Sequence, residues 1–211
     1  MKLYMTPGSC SMGIHILLEE LELLFEAHIV NLLTGDNRRP EFLAINPRGS
    51  VPTLVKDDGT ALTDFESIAV WLADTYPKRG LLPREPAQRA KAIETLRYAV
   101  NVLHGEGFTR IFVSERYALH SEEMSQVQSE GRSLVQHGFT RLDALLAGRR
   151  WIVDEFSIAD AALCYLELWA ERIQLSMPAN LQAHFQRMVA RPAVRQVLGE
   201  EGYASTLRKY A

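Results

Sequence analysis

Asn46-Pro47-Arg48-Gly49-Ser50-Val51-Pro52-Thr53-Leu54-Val55 is the stretch from which the fold can be read. Its first five residues are turn formers, and Val51 to Val55 has the apolar, β-branched character of a strand. A proline at a strand start belongs at an edge, a bulge or a cis bond, because it has no N–H for the ladder. A trans Pro52 is the plain reading, and a cis Val51–Pro52 bond is the rarer one. A cis bond would expose Val51 N–H and C=O to an extended peptide, a form of strand addition. Downstream, Asp57-Asp58-Gly59 reads as a hairpin turn into a second short strand, Ala61 to Thr63. Glu66 to Tyr76 then carries Ile68, Trp71 and Leu72 at helical spacing and is stopped by Pro77. Upstream, Lys2 to Met5 is a strand closed by Thr6-Pro7-Gly8-Ser9. From Ser11 a helix follows with Ile14, Leu17, Leu18 and Leu21 on one face. Phe25 to Leu32 reads as another strand, and Glu41 to Ala44 as a brief helix. The order is β-α-β, a β-hairpin, then a helix.

Beyond Pro77 the pattern changes. Lys78 to Pro86 has linker composition, and long helical stripes follow it: Ile93, Leu96, Val100, Leu103, Gly107 and Ile111, then Met124, Val127, Gly131, Leu134, Leu142 and Leu145. Ser157 to Arg172 is apolar on nearly all sides, as a helix in the middle of a bundle is. Two shorter helices are expected near 181–190 and 192–198. The division is therefore 1–79 as an α/β domain, 80–86 as linker and 87–211 as an all-helical domain. The 211 residues are 47% hydrophobic and 23% charged, an ordinary globular balance. Net charge is −3, split as −4 over residues 1–80 and +1 beyond, which offers no basic face for nucleic acid. No apolar run approaches a membrane span, no secretory pattern is visible in Met1 to Pro7, and two cysteines make no disulfide framework. A reducing cytoplasm is the expectation.

Five features can carry chemistry. Cys10 sits at the first turn of the Ser11 helix, where unpaired N–H groups favour a thiolate; a half-buried structural cysteine is the alternative. The Cys10-Ser11-Met12-Gly13 sequence lacks the second thiol of a redox pair. Cys164, in the apolar helix, reads as core. Val51-Pro52 is the second feature. Glu66-Ser67 is the third: a hydroxyl and free N–H groups for a carboxylate and an acceptor for an ammonium, or simply a helix cap. Ser157 and Asp160 form a capping box worth about 1 kcal/mol. His104 lies one residue past the stripe of the first long helix, beside Gly105 and Gly107, which hint at a close approach; it is either a satisfied interhelical histidine or a site group. No His or Cys spacing reads as a metal site, and no phosphate loop or nucleophile elbow occurs.

Taken together, Tyr4-Met5-Thr6-Pro7-Gly8-Ser9-Cys10-Ser11, Asn46 to Leu54, Asp64-Phe65-Glu66-Ser67-Ile68-Ala69 and Phe156-Ser157-Ile158-Ala159-Asp160-Ala161 resemble the soluble glutathione transferases, most closely the bacterial beta class. The resemblance runs over nearly the whole chain. It implies a thioredoxin-like N-terminal domain plus an all-α C-terminal helical bundle, in a cytoplasmic homodimer active in detoxification. It implies a cis Pro52, and glutathione as co-substrate with no metal. Val51 and Pro52 would meet the cysteinyl backbone, Glu66 and Ser67 the γ-glutamyl end, and Cys10, Ser9, Ser11 or Tyr4 the sulfur. His104 would stand near the thiol, and hydrophobic electrophiles would lie against Phe108, Ile111 and Phe112. Leu33 stands where the class often has a glutathione-reaching lysine. Arg97 replaces a cross-dimer asparagine and could hold a glutathione carboxylate.

The expected activity is transfer of the glutathione thiol to small hydrophobic electrophiles. The first alternative is a glutathione-dependent thiol–disulfide oxidoreductase or peroxidase using Cys10. A non-catalytic binding protein of the same fold is a third, disfavoured because Cys10 and the Glu66-Ser67 pair are both present.

Overall fold

The computed structural model describes residues 1–210. In the N-terminal part, β1 (Lys2–Met5), α1 (Ser11–Glu20), β2 (Glu26–Ile29), α2 (Pro40–Ile45), β3 (Thr53–Val55), β4 (Ala61–Leu62) and α3 (Phe65–Thr75) follow in order. The sheet runs β2-β1-β3-β4, with β1 parallel to β2 and the other pairs antiparallel. Leu3 lies opposite Leu54, and both are fully buried. Because side chains alternate across a strand, Tyr4 points to the other face, where it meets Phe42 of α2. This is the thioredoxin-like α/β arrangement expected.

Two strands are shorter than their sequence pattern suggests. The Phe25-to-Leu32 run pairs only over Glu26–Ile29, because the Asn31 side chain accepts the N–H groups of Leu33 and Thr34 and turns the chain out of the ladder. The ladder of β3 begins at Thr53 rather than Val51, since Pro52 has no N–H to give.

The helical part opens with α4 (Pro86–Arg97), whose N-terminal Ala87 and Gln88 N–H groups donate to the Glu85 carboxylate at 2.9 and 2.7 Å. It continues through a π-helical stretch, Tyr98–Phe108, into α5 (Thr109–Phe112). Then come α6 (Met124–Leu146), α7 (Ile158–Arg172), α8 (Ala179–Ala190), α9 (Pro192–Glu200) and α10 (Ala204–Lys209). A Cβ added to Gly131 would stand 2.7 Å from the Gly107 carbonyl oxygen, and one on Gly107 would stand 2.6 Å from Val135 Cγ2. These two glycines let the helix backbones meet. Gly105, expected to share that role, does not: the nearest atom to a Cβ there is the Val100 carbonyl oxygen, at 3.4 Å. α7 is buried on nearly every side and starts at the Ser157–Asp160 capping box. Asp160 also accepts the Ile152 N–H and pairs with His184, which reaches Glu167 through its other nitrogen.

By contacts the chain forms two units, Met1–Leu82 joined by the chain from Arg187 onward, and Pro83–Gln186. The break at Leu82 falls inside the 80–86 segment. The residues from Arg187 depart from the expected 87–211 division and group with the first unit. The cause is the packing of α9 on α1, where Arg191 donates to both oxygens of Glu20 at 2.6 and 2.8 Å.

Candidate active site

Thr6 to Ser11 forms a tight loop leading into α1. Ser11 is fully buried; its hydroxyl accepts the Thr6 N–H and donates to the Thr6 carbonyl, both at 3.1 Å. Ser9 Oγ lies 2.7 Å from it and accepts the Ser11 N–H at 3.2 Å. The Ser11 hydroxyl, expected to face a ligand sulfur, is instead consumed within the loop. Ser9 is half-buried at the same place.

Cys10 is 9% exposed, and its Sγ–H donates to the Val51 carbonyl oxygen at 3.4 Å. Burial pushes its thiol up to about 12; the N–H groups of Cys10 and Ser11 act in the opposite direction but do not cancel it. Of the two readings of Cys10, burial favours the neutral thiol over the helix-stabilised thiolate, because desolvation outweighs the helix terminus. The Val51–Pro52 bond is cis. Buried Asn46 braces the turn before it, donating to the Ser50 carbonyl at 2.8 Å and to Thr53 Oγ1 at 2.9 Å.

Two residues that sequence reasoning missed, Glu201 and Tyr203, hold the loop from the far end of the chain. Gly8 has φ +75° and donates its N–H to Glu201 Oε2 at 2.6 Å. The other oxygen of Glu201 meets His15 Nδ1 at 2.9 Å. Tyr203 closes over Gly8, where a Cβ would fall 1.6 Å from its hydroxyl oxygen. His15 on an otherwise apolar helix was the one available signal.

Tyr4 is not part of this cluster. Its ring stacks on His28 at 4.9 Å and tilts against Phe42 at 5.6 Å, lining a cavity of about 390 Å³ with Asp36, Arg39 and Ile45. The parity of β1 sends it there. At the start of α3, Asp64 accepts the Ser67 N–H at 2.9 Å and the Ser67 hydroxyl at 2.6 Å. The donors expected to be free for a carboxylate are therefore engaged by Asp64, while Ser67 itself is exposed and Glu66 half-buried. Leu33 and Arg97 are exposed.

In the helical unit, His104 sits in the π-helical stretch. Its Nδ1 lies 3.3 Å from the Tyr165 hydroxyl, and its ring is edge-on to Trp169 at 5.0 Å. Burial holds it down at about 4, so the imidazole is neutral and offers one N–H. Phe108 is fully buried and Ile111 is 8% exposed, so both support the aromatic cluster from inside; Phe112 is 47% exposed and stacks on Phe108. Tyr165 and Trp169, read from sequence as core, belong to the His104 cluster.

Residues 8–75 match the model of the glutathione S-transferase N-terminal domain. Over 211 aligned residues the chain is 36% identical to glutathione S-transferase GstA of Escherichia coli O157:H7, covering 96% of this chain and 99% of that one. The chain belongs to the glutathione S-transferase family. It is a transferase enzyme of that type. Among solved structures, a sphingomonad glutathione S-transferase complexed with glutathione is 32% identical, with a TM-score of 0.82. The beta-class glutathione S-transferase of Sphingomonas chungbukensis is 30% identical, with a TM-score of 0.80. Each alignment covers 96% of this chain and 99% of the other.

Proposed function

We propose that this transferase binds glutathione along the cis Val51–Pro52 edge and joins its thiol to small hydrophobic electrophiles. The observation that carries the site is the placement of the Cys10 thiol against the Val51 backbone. An extended peptide added at Val51 would set its own sulfur beside Cys10 and the N-terminus of α1. Pro52 shapes that edge, and Ser9 borders it. Glu66 accepts the γ-glutamyl ammonium. Ser67 turns its hydroxyl from Asp64 to the ligand carboxylate.

A free thiol has a pKa of about 8.5 and must be activated. Cys10, as a neutral S–H donor that gives up its Val51 acceptor, and the positive end of α1 stabilise a ligand thiolate without competing for its charge. The neutral His104 contributes one further N–H, and Arg97 one further carboxylate contact, from a second copy in a homodimer. Phe112 offers the apolar surface for the electrophile. Cys10 as a high-pKa thiol is a poor nucleophile, which favours conjugation over the disulfide-exchange alternative. A reducing cytoplasm and a detoxifying role complete the reading.

Calorimetry of glutathione against wild type, Glu66→Ala and Ser67→Ala tests the site. Binding that weakens in both variants is expected; no binding by wild type at millimolar glutathione would overturn the proposal. Conjugation of an aromatic halide should survive Cys10→Ala.

A further inference from the structure

The first unit carries a second cluster of ligating side chains, along α1 beyond the Cys10 loop. His15 and Glu19, one helical turn apart on α1, converge with Glu200 at the end of α9 beside a cavity of about 450 Å³. One ligand atom from each of the three lies within 4.8 Å of the others. His15 is 3% exposed. Its Nδ1 is committed to Glu201, which leaves Nε2 directed at Glu200 Oε2, 3.2 Å away, and Glu19 Oε1, 3.9 Å away. Nε2 faces these two carboxylates as ion-pair partners.

We infer that His15 Nε2, Glu19 and Glu200 form a binding site for a divalent transition-metal cation of the zinc type. Three observations carry this. The first is spacing: bonds of about 2.0–2.1 Å in a tetrahedral shell put neighbouring ligand atoms about 3.3 Å apart, and Nε2 stands 3.2 Å from Glu200 and 3.9 Å from Glu19, so the glutamate side chains need only draw in slightly. The second is the Glu201 carboxylate on Nδ1. That contact occupies Nδ1 with a carboxylate, the outer support that metal-bound histidines have, and leaves Nε2 as the nitrogen facing the site. The third is charge. Glu20 and Glu22 have their own arginines, Arg191 and Arg79, whereas Glu19 and Glu200 both face the same nitrogen, His15 Nε2. Gln196 donates to Glu200 Oε1 at 3.0 Å, which leaves Oε2 on the His15 side. A cation would take the place of any proton on Nε2, releasing it to solvent. Three protein ligands leave a fourth position for water.

The spacing of histidines and cysteines in the sequence shows none of this, because the third ligand lies 181 residues past Glu19. The site does not depend on glutathione binding. The test is titration of the full chain with Co²⁺ and Zn²⁺, followed by calorimetry and visible absorption, beside the partly exposed variants Glu19→Gln and Glu200→Gln. One equivalent is expected to bind, with Co²⁺ ligand-field absorption and no thiolate charge-transfer band. Each variant should weaken binding roughly tenfold or more, and Cys10→Ser should leave it unchanged. No binding at millimolar metal, wild-type affinity in both glutamine variants, or a thiolate band lost in Cys10→Ser would each overturn the assignment.

Discussion

Cys10 offers the sharpest test of how burial and a helix terminus compete. The structure holds its thiol at about 12 against an ordinary value of 9.0. At pH 8 the thiolate fraction is then about 10⁻⁴, where an ordinary thiol would have about one-tenth. Alkylation by iodoacetamide, followed by mass spectrometry of the Cys10 peptide, should run about a thousandfold slower than for a free thiol. The rate should rise about tenfold per pH unit from pH 7 to 10 without levelling. Fully buried Cys164 is the internal control for unfolding and should stay unlabelled. The same shift has a stability consequence. Above about pH 9 the unfolded chain releases this proton and the folded chain keeps it. Stability should therefore fall with rising pH, by about 1.4 kcal/mol per unit at most, until the folded value near 12 is reached. Denaturant midpoints at pH 8 and 10, compared with Cys10→Ala, isolate that contribution. An alkylation profile that levels off below pH 9, or equal pH slopes in the two proteins, would refute the reasoning and restore the stabilised thiolate.

Further outcomes follow from the helical unit. His104, held near 4, is neutral in the fold while the unfolded chain takes up a proton below about 6.5; stability should drop on the order of 3 kcal/mol toward pH 4, and His104→Gln should flatten that slope in urea titrations. Ser157→Ala removes an acceptor for Ala159 N–H and a buried donor to Asp160, and should lower stability by about 1–2 kcal/mol in thermal unfolding, while Ser157→Thr should retain most of it. Gly131→Ala drives a methyl into the Gly107 carbonyl and should cost about 1–3 kcal/mol, whereas Gly105→Ala, with more room, should be neutral or stabilising by denaturant midpoint.

What could be read from the sequence was what neighbours in the chain decide. The capping box needs only Ser157 and Asp160, three residues apart, and appears as expected. The strand–helix alternation of the first eighty residues follows local periodicity in the same way. Tyr4 was expected beside the sulfur; its parity against buried Leu3 and Met5 sends its ring to His28 and Phe42 instead. His104 and Gly105 were harder, because a π-helical stretch changes the angular step and a 3.6-residue stripe no longer tells which side a residue takes. The state of Cys10 was out of reach: local sequence shows the helix terminus that lowers its pKa, not the burial that raises it. Ser11 and Ser67 carry hydroxyls that could face a ligand or their own backbone neighbourhood, and composition does not choose between these. The Gly8–Glu201 and His15–Glu201 contacts join residues nearly two hundred positions apart and leave no periodic trace.

The Gly8–Glu201 bond also bears on the order in which the molecule is assembled. During synthesis the segment Pro83–Gln186 is contiguous and can close its own contacts as soon as it is made. The strand–helix unit that precedes it cannot be finished then, because Glu201 and Tyr203 are still to be polymerised. The first loop to leave the ribosome is thus among the last to be locked. A fragment ending at Leu82 would carry Cys10 on a loop without its Glu201 acceptor, and the same fragment supplied with the chain from Arg187 onward should regain it.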